Sequence, residues 1–105
     1  MAKLVVDPGH GGRDPGAQQS GFKEKDIVLA YSLLLVTQLS KRGHVVNLTR
    51  STDVDLAPEI TDWRKGKRED MQRRCDLSNS LKADAFISIH ANAGPFTSSN
   101  GAWVL

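Results

Sequence analysis

A short β-branched strand that empties into a glycine loop constrains this chain more than anything else in it. Residues 3–7 (KLVVD) are apolar and extended in pattern, and they lead straight into Pro8-Gly9-His10-Gly11-Gly12. Five glycines fall between Gly9 and Gly21, with Pro8 and Pro15 among them. That segment is loop, and its backbone can approach a ligand or metal closely. Asp26 is placed to cap a helix whose apolar positions 27, 28, 31, 34, 35 and 39 recur at three- and four-residue spacing. Lys41 and Arg42 stand at its C-terminal end, where positive charge is favoured, and Gly43 is its stop. Residues 44–49 (HVVNLT) read as a second strand. Strand, helix, strand is the start of a parallel sheet with helical cover.

Residues 50–66 are polar, carry Pro58 and Gly66, and read mainly as loop. Trp63 is expected to anchor that loop onto the body, with lining of a substrate groove as the alternative. A second helix fits residues 68–82, with Met71, Cys75, Leu77 or Ser78, and Leu81 facing inward. Residues 85–90 (AFISIH) fit a buried central strand, 91–101 a loop, and 102–105 the start of another strand. The expected fold class is α/β: a mostly parallel sheet with helices on both faces. The expected domain organisation is one catalytic domain over 1–105, without linker or second domain, in which a strand at the last residue leaves the fold incomplete.

Composition narrows the class. A chain of 105 residues with 39% hydrophobic content supports one modest core. No window reaches the roughly 20 apolar residues that span a bilayer, so membrane insertion is not expected. Asp7 and Pro8 interrupt the opening apolar run, which therefore does not read as a secretion signal. Cys75 is the single cysteine, so no internal disulfide forms, and it reads as a packed or half-buried thiol. Residues 64–74 (RKGKREDMQRR) hold six bases and two acids; eight bases against ten acids elsewhere leave the remainder at −2. Such a segment could meet an anionic surface, but a solvated helix start is the plainer reading. It lacks interleaved aromatics and any nucleic-acid module, so no nucleic-acid partner is expected.

The chemistry concentrates in three residues. His10 and His90 each follow a strand read as central, and each opens a loop of small residues. In open parallel sheets the ligand crevice lies beyond the carboxyl ends of the strands, so neighbouring strands would bring the two imidazoles together there. Glu24 ends the glycine loop that begins beside His10 and can be folded back toward both. Two imidazoles and a carboxylate, with a fourth position left to water, is the catalytic zinc arrangement. His44 lies at the entry side of a strand and reads as structural. Asp7 is placed either to accept from a ligating histidine or to anchor loop N–H groups, and Asp14 to close a turn with Pro15-Gly16. The glycine loop contains neither GxGxxG nor GxxxxGK, which argues against a nucleotide site.

Those residues also carry a resemblance. Val5 to Gly12 (VVDPGHGG), Asp14-Pro15-Gly16-Ala17, Glu24-Lys25-Asp26, Leu48-Thr49-Arg50, Arg74 through Asn79 with Ala83-Asp84, and Ser88-Ile89-His90-Ala91-Asn92-Ala93 occur in the order found in N-acetylmuramoyl-L-alanine amidases of the amidase 3 type, which this chain resembles. The resemblance implies Zn2+ as cofactor, held by His10, Glu24 and His90, and peptidoglycan as partner. It implies hydrolysis of the amide between the lactyl group of N-acetylmuramic acid and L-alanine. The family's catalytic glutamate lies in a C-terminal motif with no match up to residue 105, and Glu59 and Glu69 have no matching context. The alternative function is therefore a zinc-containing, catalytically incomplete peptidoglycan-binding domain. Because the opening run does not read as a secretion signal, synthesis in the cytoplasm is expected, with action at the cell wall after phage- or host-mediated release. Endolysin, autolysin and spore-wall enzyme all remain open, as does the oligomeric state.

Overall fold

The computed structural model describes residues 1–92 and the backbone of 101–104. Most of the loop expected over 91–101, and residue 105, lie outside the described residues. The strand β1 (Lys3–Pro8) sits between β4 (Val45–Leu48) and β5 (Ala85–Asn92) and runs parallel to both. On the far side of β5, β6 (Gly101–Val104) is antiparallel, giving the order β4-β1-β5-β6. The fold is thus mixed α/β with a mainly parallel sheet, as the strand–helix–strand pattern predicts.

Period-two alternation divides the sheet between two helices. The β1–β5 register pairs Val6 with Ile87, Asp7 with Ser88 and Pro8 with Ile89. Val6, Ile87 and Ile89 pack with Val28, Leu35, Val36 and Leu39 of α1 (Glu24–Lys41) to form the core. Asp7, Phe86, Ser88 and His90 point to the opposite face, toward α2 (Trp63–Ser80), across a cavity of about 370 Å³. Of the six periodic positions in α1, only Val28, Leu35 and Leu39 meet this core; Ile27, Tyr31 and Leu34 are exposed.

Several local expectations need correction. The first helix begins at Glu24 itself, after Lys23, and has no side-chain cap; Asp26 instead lies in its first turn as a charge favoured by the helix dipole. The second helix starts at Trp63, five residues early, because Asp62 accepts from the Lys65 N–H as its cap. Met71 and Cys75 face the sheet as expected but line the open cavity and stay exposed, while Leu77 and Leu81 are half-buried. Helix α2 buries Arg74 and Gly66 in their place. Trp63 is itself 45% exposed and does not anchor the preceding loop in a core. Inside the glycine loop, β2 (Gln18–Gln19) and β3 (Phe22–Lys23) form a small hairpin. Ser20 and Gly21 turn it with positive φ values of 52° and 81°, the pair of values a tight primed turn demands.

Candidate metal centre

The carboxyl ends of β1 and β5 carry the three residues singled out above. His10 follows β1 by two residues, His90 lies in β5 one residue past its last pair with β1 (Pro8 with Ile89), and Glu24 is the first residue of α1. Their ligating atoms all lie within 4.8 Å of one another. His10 Nε2 is 3.0 Å and His90 Nδ1 3.2 Å from the same oxygen, Glu24 Oε2. The imidazoles stand edge to face, with centroids 5.1 Å apart.

Glycine makes this approach possible. A Cβ on Gly9 would sit 2.5 Å from His90 Cε1, and one on Gly16 would sit 2.7 Å from both Glu24 Oε1 and His10 Cδ2. Backbone N–H groups orient the carboxylate: Ala17 donates to Glu24 Oε1 at 3.0 Å and Ala91 to Oε2 at 3.1 Å. Glu24 is 7% exposed, whereas the His90 side chain is 36% exposed, so the cluster is buried on the carboxylate side and open on the imidazole side.

The donor set fits a zinc ion. Metal–ligand bonds of about 2.0–2.1 Å at tetrahedral angles put neighbouring ligand atoms about 3.3 Å apart, which is close to the two separations from Glu24 Oε2. Two nitrogens and one oxygen would leave a fourth position of a tetrahedral ion to water.

Asp14, expected only to close a turn, does more. Its Oδ1 does accept from the Gly16 N–H at 3.1 Å, closing that turn. Its Oδ2 also accepts from His10 Nδ1 at 2.8 Å, which fixes the tautomer that leaves Nε2 free toward Glu24. Burial pushes the Asp14 carboxyl up, but the hydrogen bonds from His10 and Gly16 and the nearby charge of Lys67 outweigh it, holding it below the ordinary value.

Asp7 takes neither role expected for it. It accepts from Thr49 Oγ1 at 2.6 Å, Ser88 Oγ at 2.7 Å and Arg74 Nη1 at 2.9 Å, on the α2 face of the sheet. Thr49 and Ser88 follow or belong to the two strands flanking β1, so this carboxylate ties the three parallel strands together. His44 has the structural place expected for it, with Nδ1 accepting from the Ala2 N–H.

Two arginines that the spacing did not single out support the loop. Arg50 donates to Pro8 O, Gly9 O, Lys25 O and Thr52 O, and Arg74 to Pro8 O and His10 O. Burial and the nearby Arg74 charge lower the Arg50 pKa, while in Arg74 the charges and hydrogen bonds of Asp7 and Asp70 outweigh burial and raise it. The segment after β4 clamps the same loop from outside. Asp53 accepts from the Gly12 N–H and Lys25 Nζ at 2.8 Å each, and Asp55 pairs with Arg13 at 2.5 Å.

Known proteins share this sequence and fold. The family model described as N-acetylmuramoyl-L-alanine amidase matches residues 4–105. The germination-specific N-acetylmuramoyl-L-alanine amidase of Bacillus subtilis (strain 168) is 41% identical over 100 residues, spanning 94% of this chain and 42% of that protein. The endolysin of Bacillus phage SPP1 is 43% identical over 97 residues, spanning 90% and 31%. Among solved structures, the CwlD amidase from Clostridioides difficile, in complex with the GerS lipoprotein, aligns with a TM-score of 0.85 at 34% identity, over 92% of this chain and 51% of that one. The chain spans less than half the length of these two curated relatives.

Proposed function

This chain belongs to the N-acetylmuramoyl-L-alanine amidase family, and from that premise we propose that its 105 residues hold one zinc ion on His10, Glu24 and His90 and bind peptidoglycan. Hydrolysis of the lactyl–L-alanine amide is then the activity of a protein that adds a further carboxylate to this centre. The observation that carries the reading is the convergence of two imidazoles and one carboxylate at the carboxyl ends of paired strands.

A zinc ion in that position supplies a Lewis acid for the scissile carbonyl and lowers the pKa of a coordinated water. The chain's own residues prepare the site. Asp14 holds the proton on His10 Nδ1, and the Ala17 and Ala91 N–H groups hold the Glu24 carboxylate in place. Amide hydrolysis also needs a group that takes a proton from the water and returns it to the leaving amine. Among the described residues, each carboxylate near the cluster is already engaged. Asp14 is turned to His10 and Gly16, Asp7 to Thr49, Ser88 and Arg74, and Asp70 to Arg74 and the Leu56 N–H. That engagement favours a metal- and wall-binding role for these residues over hydrolysis by them alone.

Elemental mass spectrometry of the purified chain, with co-sedimentation on isolated sacculi and mass analysis of the muropeptides, tests the proposal. One zinc per chain, retention on sacculi and no freed stem peptides are expected. Free stem peptides beside intact glycan would instead establish a competent amidase within these residues. A metal-free, folded chain would remove the basis of both readings.

A further inference from the structure

His10 has a backbone φ of 63°, in the left-handed region that residues with a Cβ seldom occupy, and neighbouring groups hold it there. The hold is a guanidinium. Arg74 uses all five of its N–H donors: Nε to Asp70 Oδ2 at 2.9 Å, Nη1 to Asp7 Oδ1 at 2.9 Å and Pro8 O at 2.6 Å, Nη2 to His10 O at 2.5 Å and Asp70 Oδ1 at 3.3 Å. Its side chain is 6% exposed. With Arg50 on Pro8 O and Gly9 O, the three successive carbonyls of residues 8–10 turn inward onto cations, and the His10 imidazole projects outward to Glu24.

The same side chain fastens α2. The exposure of Met71 and Cys75, and the cavity between this helix and β5, mean that α2 has little apolar seating on the sheet. Its other cross-element hydrogen bonds, made by Asp70 and Arg73, go to the segment around Leu56 and Glu59. Among the described residues, every hydrogen bond from α2 to β1 and to the residue pair that follows it comes from Arg74.

We infer that Arg74 is a positioning residue that couples the docking of α2 to the occupancy of the metal centre: zinc binding fixes His10, His10 fixes the Arg74 seat, and the seat fixes the helix. The inference rests on the reading of His10, Glu24 and His90 as metal ligands. Coupling of this kind is reciprocal, so loosening α2 weakens zinc by the factor that removing zinc loosens α2.

Hydrogen exchange on the intact chain, with and without zinc alone, tests it. In the wild type, zinc should slow exchange of the α2 amides around Arg74 by about tenfold or more. Arg74→Lys keeps the charge beside Asp7 but lacks the planar fork. In that variant zinc affinity by titration calorimetry should fall by about 10–100-fold, and zinc should no longer protect α2, with exchange in α1 unaltered. Wild-type zinc affinity in Arg74→Lys, or zinc protection confined to the glycine loop in the wild type, overturns the coupling. If Arg74→Lys does not fold, the wild-type exchange pattern decides alone. His10→Ala separates the premises: zinc bound equally well by that variant defeats the ligand assignment, whereas zinc lost there but leaving α2 unprotected in the wild type defeats only the coupling.

Discussion

Asp14 Oδ2 accepts from His10 Nδ1 at 2.8 Å, four residues along a loop rather than across the sheet. A carboxylate in that position orients the ring and raises the basicity of the opposite nitrogen. Asp14→Asn keeps the size and an acceptor but removes the negative charge. It should weaken zinc binding by about 10–100-fold, with little change in fold. Calorimetric zinc titration and a circular dichroism spectrum check both parts; wild-type affinity in the variant would show that His10 needs no partner.

That relationship marks where reading the residues in order stopped being sufficient. Alternation and three- to four-residue spacing make β1, α1, β4 and β5 legible, because each buries apolar residues on a defined face. The meeting of His10, Glu24 and His90 follows from their places at the carboxyl ends of strands. Helix α2 escapes the same logic. Its fixed side chain is Arg74, within a basic run that reads as solvated, and its apolar Met71 is 59% exposed. A buried guanidinium leaves no periodic trace; only the match of Arg74 to a family motif hinted at it. Asp7 and Asp14 both precede a Pro-Gly pair, so composition does not distinguish them. What separates them is that Asp7 still belongs to β1 and points to the α2 face, while Asp14 lies in the loop beside the ring.

The glycines of the loop divide into those that admit a ligand and those that only turn the chain. Gly16 has φ 68° and faces Glu24 and His10, so Gly16→Ala should both destabilise the fold and displace the ligands. Gly21 has φ 81°, but nothing lies within 4 Å of an added Cβ. Gly21→Ala should therefore cost about 1 kcal/mol of backbone strain and leave zinc affinity unchanged. Urea midpoints and zinc titrations on the two variants should separate strain from site damage. Equal loss of affinity in both would mean that loop strain, not ligand crowding, controls the site.

Ser32 offers a test in the opposite direction. It is 0% exposed on the core side of α1, and its Oγ has no hydrogen-bond partner among the described residues. A buried hydroxyl without a partner costs roughly 1–3 kcal/mol, and alanine is the better helix former. Ser32→Ala should raise stability by about 1 kcal/mol, less whatever packing the hydroxyl supplies. A lower urea midpoint in the variant would indicate that the hydroxyl is bonded in solution.

Asp53 sets a pH dependence whose sign can be worked out. The hydrogen bond from Lys25 lowers its pKa first, followed by the bond from the Gly12 N–H, and the two outweigh burial. A carboxylate with a depressed folded-state pKa stabilises the fold above its unfolded pKa of about 3.9, and the contribution disappears as pH falls through the lower folded value. The Asp53 side chain is 49% exposed, so solvent screening limits the Lys25 pair to roughly 0.5 kcal/mol or less. Asp53→Asn retains an acceptor for Gly12 but loses the charge facing Lys25. Wild type and variant should differ in urea midpoint at neutral pH and converge as pH falls below the unfolded pKa of about 3.9 and on through the lower folded one. A gap that persists at the acid end would assign the effect to the amide's geometry at Gly12 instead of to the ion pair. The position matters for the metal centre, since Asp53 joins the loop after β4 to both Gly12 and Lys25, the residues that bracket the glycine loop between His10 and Glu24.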